Sequence, residues 1–158
     1  MIEIVLLGQP MAKERPRLTQ GGHVYTPERT LNYEARLAHR AQDAVAGRPL
    51  LEGPLAVEVV TLMSIAASKP AKWQSAALAG LERPTKKPDW DNFGKMLDAL
   101  NLVVWADDAQ VVDGRVLKFY WSRPALIVRV RRVVEPEQPP EWALRHMSEM
   151  AIDEGVLG

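Results

Sequence analysis

The sequence has no cysteine, which removes disulfide scaffolds, thiolate zinc sites and cysteine nucleophiles and fits a reducing compartment. No apolar run approaches the roughly 18 residues of a membrane span. The first residues, Met1-Ile2-Glu3-Ile4-Val5-Leu6-Leu7, lack the basic start and cleavage site of a signal peptide, so a cytoplasmic location and no membrane partner are expected. Histidines are few, and His23, His39 and His146 share no ligand spacing. No serine stands in a nucleophile-elbow pattern, and Gly21-Gly22 is not a phosphate-binding glycine motif. Neither triad hydrolysis nor a nucleotide cofactor is therefore expected. Net charge is also missing, with 20 Lys+Arg against 20 Asp+Glu. What is present is an ordinary globular composition: 158 residues, 47% hydrophobic and 25% charged, the size and make-up of one domain.

The zero net charge hides an uneven distribution. From Glu137 onward there are five acids and one base, Arg145, which leaves residues 1–136 with 19 basic and 15 acidic side chains. Seven of the acids lie within residues 82–113. A bound divalent cation there would leave the body distinctly basic, so neutrality does not exclude a nucleic-acid partner.

Periodicity and turn chemistry predict the elements. Residues 2–7 alternate as a strand and are stopped by Gly8 and Pro10. Gln9 to Gly22, with Lys13, Arg15 and Arg17 among prolines, reads as a basic loop, part of it a ribbon turning at Gly21-Gly22. Thr26-Pro27-Glu28 opens a helix expected to run from Pro27 to Ala46 and stop at Gly47. Arg29, Arg36 and Arg40 form its cationic stripe, and Leu31, Ala35, Ala38 and Val45 its expected apolar one. Leu55–Met63 is a β-branched run suited to a central strand. A short helix is expected in Lys69–Gly80 and a second main helix over Asn92–Leu100, where Phe93, Met96, Leu97 and Leu100 recur at helical spacing. Val111–Trp121 and Ala125–Val134 read as two strands joined in a hairpin through Ser122-Arg123-Pro124. After a proline-rich linker, Glu141–Glu154 reads as an amphipathic acidic helix, whose Trp142, Leu144, Met147, Met150 and Ala151 are expected to pack on the body or on a partner. The fold class is α+β: a single domain with a mixed sheet of about four strands, two main helices and a C-terminal helix.

Chemistry concentrates in Lys86-Lys87-Pro88-Asp89-Trp90-Asp91-Asn92-Phe93-Gly94-Lys95, followed by Asp98 and Asp107-Asp108. In extended chain, Asp89 and Asp91 would point to one side, and carboxylates held together call for a hard divalent cation such as Mg²⁺. Lys95 stands one helical turn above Asp91. Asp108 would supply a third carboxylate if the strand after it lies beside this segment. The same groups also serve as turn and cap residues with a surface lysine, and spacing alone leaves both open. Asp98 is expected to pair with Lys95 on the helix surface. Trp90, between two aspartates, is expected to point into the core, with stacking on a base as its alternative role.

These residues resemble the RusA family of Holliday junction resolvases, in particular its phage and prophage members. The resemblance rests on Lys87-Pro88-Asp89-Trp90-Asp91-Asn92, Lys95, Asp98-Ala99-Leu100 and Asp107-Asp108-Ala109-Gln110-Val111. In the N-terminal half, Pro10, Lys13, Arg15-Pro16-Arg17, Tyr25-Thr26-Pro27, Thr30 and Tyr33-Glu34 agree as well. It spans roughly residues 4–134. Leu102 departs from it, standing where a glycine is common. The resemblance implies a homodimeric Mg²⁺-dependent endonuclease, with Mn²⁺ expected to substitute, that binds four-way DNA junctions and nicks two strands symmetrically in recombination and repair. Asp89, Asp91 and Asp108 match the family's essential acids, expected to hold metal, Lys95 its essential lysine, and Asp107 a neighbouring acid at the metal. Lys13, Arg15, Arg17, Lys86 and Lys87 are expected to meet backbone phosphates. Residues 1–134 would be the RusA-like endonuclease domain and 135–158 the linker and acidic helical tail. A nuclease acting on flaps or forks, and a prophage remnant that binds junctions without cutting, remain as alternatives.

Overall fold

The computed structural model describes residues 1–153. Strand β1 (Ile2–Leu7) buries every second side chain, as its alternation requires. A short antiparallel ribbon follows, β2 (Arg17–Leu18) with β3 (Val24–Tyr25), reversing through Gly22 at φ 79°. Helix α1 (Glu28–Val45) ends at Ala46 in the left-handed region. Strand β4 (Leu55–Ser64) leads to the short helix α2 (Ala71–Leu78), then α3 (Trp90–Lys95), which tightens into a 3-10 turn over Met96–Leu100. Another 3-10 turn (Asp108–Gln110) opens β5 (Val111–Trp121), and β6 (Ala125–Arg132) completes the sheet before α4 (Glu141–Asp153). No helix among the described residues is long and apolar enough to cross a membrane.

The four-stranded sheet is mixed, in the order β1-β6-β4-β5, so the α+β class stands. The expected hairpin between β5 and β6 does not form. β4 lies between them, parallel to β5 and antiparallel to β6. Its near-continuous burial explains why: a strand this apolar needs partners on both edges. The Ser122–Pro124 link steps over its end, from Trp121 opposite Ser64 to Ala125 opposite Leu62. Four Cα–Cα steps span at most about 14 Å, ample for two strand spacings of about 4.8 Å each.

One face of the sheet carries the core. Ile4, Val128 and Val59 stand in one row of the register, and α1 and the Met96–Leu100 turn cover them. The buried stripe of α1 is Thr30, Tyr33, Leu37, Ala41 and Val45, offset from the expected one, and Leu31 is half exposed. The bulky Tyr33 and Leu37 decide which face packs, because they bury more apolar area than Ala35 or Ala38 can. The arginine stripe is divided as well: Arg36 donates to the Leu7 carbonyl at 3.0 Å and Arg40 pairs with Asp43 at 3.7 Å. Trp105 is fully buried and its indole N–H donates to Asn101 Oδ1 at 2.6 Å. Leu102 takes φ 62° in the turn beside it, the backbone conformation for which glycine is suited.

In α4, Trp142, Leu144, Met147 and Met150 are exposed, so the expected docking of this helix is not seen among the described residues. Glu154 and the side chains of Glu149, Ala151 and Asp153 lie outside the described residues. The stripe assignment on α1 makes a clear prediction for urea unfolding. Leu37→Ala should cost about 2–5 kcal/mol, and Leu31→Ala no more than about 0.5 kcal/mol.

Candidate functional site

The acidic segment is tied to the sheet by a lysine that sequence reading passed over. Lys118, in the middle of β5, donates to the carbonyls of Lys86 and Pro88, both at 2.8 Å. Its own carbonyl accepts from Arg83 Nε at 2.7 Å, and the Arg83 guanidinium lies 3.7 Å over the Phe119 ring. β5 thus lies beside the Asp89 segment, as a third carboxylate from Asp108 requires. A lone lysine inside Val116-Leu117-Lys118-Phe119-Tyr120 was the available signal, since a charge among apolar neighbours needs acceptors.

Asp89 is the last extended residue, with φ −67° and ψ 149°, and α3 begins at Trp90. The expected alternation therefore stops at Asp89. Trp90 is 64% exposed, a correction to the core position expected for it, because a helix start does not alternate faces as a strand does. Asp89 occupies the N-cap position, yet its side chain makes no capping hydrogen bond, so its carboxylate has no structural employment there. Asp91 accepts from Lys95 Nζ at 2.8 Å, and Lys95 also reaches Asn92 Oδ1 at 3.3 Å. The Lys95 hydrogen bond is the main reason the Asp91 carboxyl is held below its usual range.

Asp98 does not pair with Lys95. Acid before base at i,i+4 is the favoured helical orientation, and Asp91 takes that place. Asp98 accepts instead from Lys13 Nζ at 2.7 Å, and the same ammonium lies 3.2 Å from Glu34 Oε1. Burial works against the Lys13 charge, but hydrogen bonds to Asp98 and Glu34 outweigh it and hold the ammonium above its ordinary range. Lys13, expected at phosphates, lines the basic cleft and also joins the basic loop to α1 and the 3-10 turn.

Asp107 and Asp108 have different surroundings. Asp107 caps the turn, accepting from the Ala109 N–H at 2.8 Å in a capping box with Gln110. Gln110 in turn donates to the carbonyls of Leu51 and Gly53. Asp108 stays outside this cap, with its carboxyl pushed up by desolvation and then by the nearby charges of Asp98 and Asp107. Asp98 is thus a site residue that sequence reasoning missed. Its partners come from distant parts of the chain, and no local spacing announces them.

A cleft of about 750 Å³ runs along the basic loop, lined by Lys13, Arg15, Arg17, Arg29, Lys87 and Asp89 among others. Arg17 also pairs with Glu14 at 2.9 Å. Arg29, assigned above only to a helix stripe, is part of this wall, and Lys86 is exposed next to it. Among the described residues no three His, Asp or Glu side chains are gathered closely enough to hold a metal ion. Asp89 faces the cleft, Asp91 is turned to Lys95, and Asp108 stands with Asp98. The donors nonetheless suit a hard cation. All are carboxylates, and the repulsion from Asp98 and Asp107 that adds to desolvation in raising Asp108 is what a cation relieves. Mg²⁺ in particular is commonly bound by one or two carboxylates, with substrate phosphates and water completing its shell.

Carboxylates and an ammonium beside a cationic cleft are the groups of a protein that handles polyanions. The comparison with known families makes this specific: the family described as Endodeoxyribonuclease RusA matches residues 8–131, and the chain belongs to that family. The match runs from the end of β1 through nearly all of β6, so every site residue above lies within it. The chain is also similar to the Uncharacterized protein YqaN of Bacillus subtilis (strain 168), 35% identical over 141 residues, covering 84% of this chain and 96% of that protein.

The Asp91–Lys95 contact can be tested directly. Lys95→Met should return the Asp91 carboxyl upward to the ordinary aspartate range, read by NMR titration of its carboxyl carbon.

Proposed function

We propose that this protein is a cytoplasmic endodeoxyribonuclease that acts as a homodimer on four-way DNA junctions, nicking two opposed strands symmetrically in recombination and repair, with Mg²⁺ as its metal and Mn²⁺ as a substitute. The observation that carries the reading is the uncapped Asp89 carboxylate on the wall of a cationic cleft, inside the segment matched by the family.

Asp89, Asp91 and Asp108 would hold the cation, with Asp107 beside them and Asp98 reaching the same place through Asp108. Such an ion supplies Lewis-acid neutralisation of phosphate charge and a lowered pKa for water. The chain's own groups do the rest. Lys95 brings a positive charge to the carboxylate edge, where it offsets the extra negative charge of a pentacoordinate phosphorus. Arg15, Arg17, Lys86 and Lys87, joined by Arg29, bind and orient the backbone through phosphates, giving affinity and salt dependence rather than base reading. Lys13 contributes by holding Asp98 in place. A dimer would present two equivalent sites to the two-fold arms of a junction. No nucleotide cofactor enters the reaction, and residues 135–158 form an appendage to the catalytic body.

The test uses the same labelled strands annealed as a four-way junction, a fork and a plain duplex, each with Mg²⁺. Paired nicks at symmetry-related positions in the junction alone support the reading. Equal cutting of the fork points to a flap or fork nuclease, and binding without cutting to a remnant. Asp91→Asn should lower junction cleavage by about 100-fold or more, on the scale of losing one preorganised charge, while junction binding is kept.

A further inference from the structure

Next to the cleft is a second, apolar concavity that the chemistry above leaves unused. It has a volume of about 200 Å³. Its floor is the buried Val57, Val59 and Leu97, and the exposed Trp90, Asp108 and Arg115 stand at its mouth. We propose that this pocket receives a single unstacked nucleobase of the DNA strand whose backbone lies in the cleft. The inference rests on the nuclease reading for the identity of its ligand.

Size, chemistry and position agree. The pocket is smaller than the roughly 300–1,000 Å³ typical of drug-sized ligand sites, which suits one flat ring system and not a whole nucleotide. Its walls offer apolar surface and an indole, and stacking on an aromatic is open to every base because each has a π face. Polar groups at the mouth are few. Asp108 belongs to the acidic site, and the Arg115 guanidinium is turned to Glu58, 3.3 Å away, on the other face of the sheet, so recognition rests on the apolar walls and the indole. Trp90 follows Asp89 directly in the chain, and Asp89 lines the cleft. Consecutive Cα atoms are about 3.8 Å apart, so cleft and pocket meet at the first turn of α3. A backbone phosphate held by the basic wall of the cleft therefore brings a neighbouring base to the pocket mouth.

A base can enter only by leaving its stack, and that costs least where the helix is already interrupted. The pocket would then favour branch points over continuous duplex, a selectivity that phosphate contacts cannot provide.

The test places 2-aminopurine at successive positions around the branch of a synthetic junction and follows its fluorescence on adding protein in EDTA, with anisotropy of a distant dye reporting binding. One position should respond, by about threefold or more relative to its neighbours, as expected for a base removed from its stack. Gly114→Leu should abolish that response while leaving binding within about tenfold. Gly114 is registered with Val57, so its side chain enters the pocket, and an added Cβ meets only Val111 Cγ1 at 3.8 Å. Trp90→Leu, a change at an exposed position, should raise emission at the responding position by removing the indole that quenches it. Binding with no responding position, or a response that survives Gly114→Leu, would overturn the pocket assignment alone. No binding at all would overturn the nuclease reading and this inference with it.

Discussion

A lysine set among Val116, Leu117, Phe119 and Tyr120 has to find acceptors, and Lys118 finds them in the carbonyls of Lys86 and Pro88. That contact fixes the acidic segment to β5, and β5 is fixed in turn by its parallel pairing with β4. The geometry of the site follows from it. Asp89 is delivered extended to the cleft, α3 starts one residue later, and the turn carrying Asp108 lies at the beginning of the same strand. Hydrogen bonds from a charged donor are about twice as strong as neutral ones, and here two of them hold backbone on which no side-chain cap acts.

The charges around the site form an ordered sequence. Glu34, Lys13, Asp98 and Asp108 follow one another from α1 across the basic loop to the start of β5, while Asp91 and Lys95 form a separate pair. Exposed pairs of this kind add little to stability, typically 0–1 kcal/mol each. Their effect is positional. Lys13 binds the basic loop to the helical layer through both its side chain and its backbone N–H, which donates to the Asn92 carbonyl at 3.2 Å. Asp108 is left with its carboxyl pushed up by desolvation and by the charges of Asp98 and Asp107, and a divalent cation would relieve that repulsion.

Much of this was legible because it is local. The alternation of β1, the length of α1, the ribbon turn at Gly22 and the burial of β4 each depend on neighbouring residues. The site motif was recognisable by the order of Asp89, Asp91, Lys95 and Asp108. What stayed hidden depends on distant partners. The insertion of β4 between β5 and β6 satisfies an apolar strand that a hairpin would leave with one open edge. The Asp98–Lys13 pair joins residues 85 apart, and the acceptors of Lys118 are backbone carbonyls, which no sequence pattern marks. The exposure of Trp90 and the stripe of α1 were misread for a simpler reason. One residue's difference in where a helix begins, or in which bulky side chain packs, rotates every neighbour to another face.

The central claim is that this acidic edge collects a divalent cation in the service of phosphodiester cleavage. Titration of the metal-free protein with Mn²⁺, followed by electron paramagnetic resonance of the free ion, measures it without reference to any DNA structure. The account predicts saturable binding that falls about tenfold or more in Asp108→Asn, since a hard cation needs the charge and not merely the oxygen. Equal binding by wild type and Asp108→Asn, or no binding by either, would contradict it.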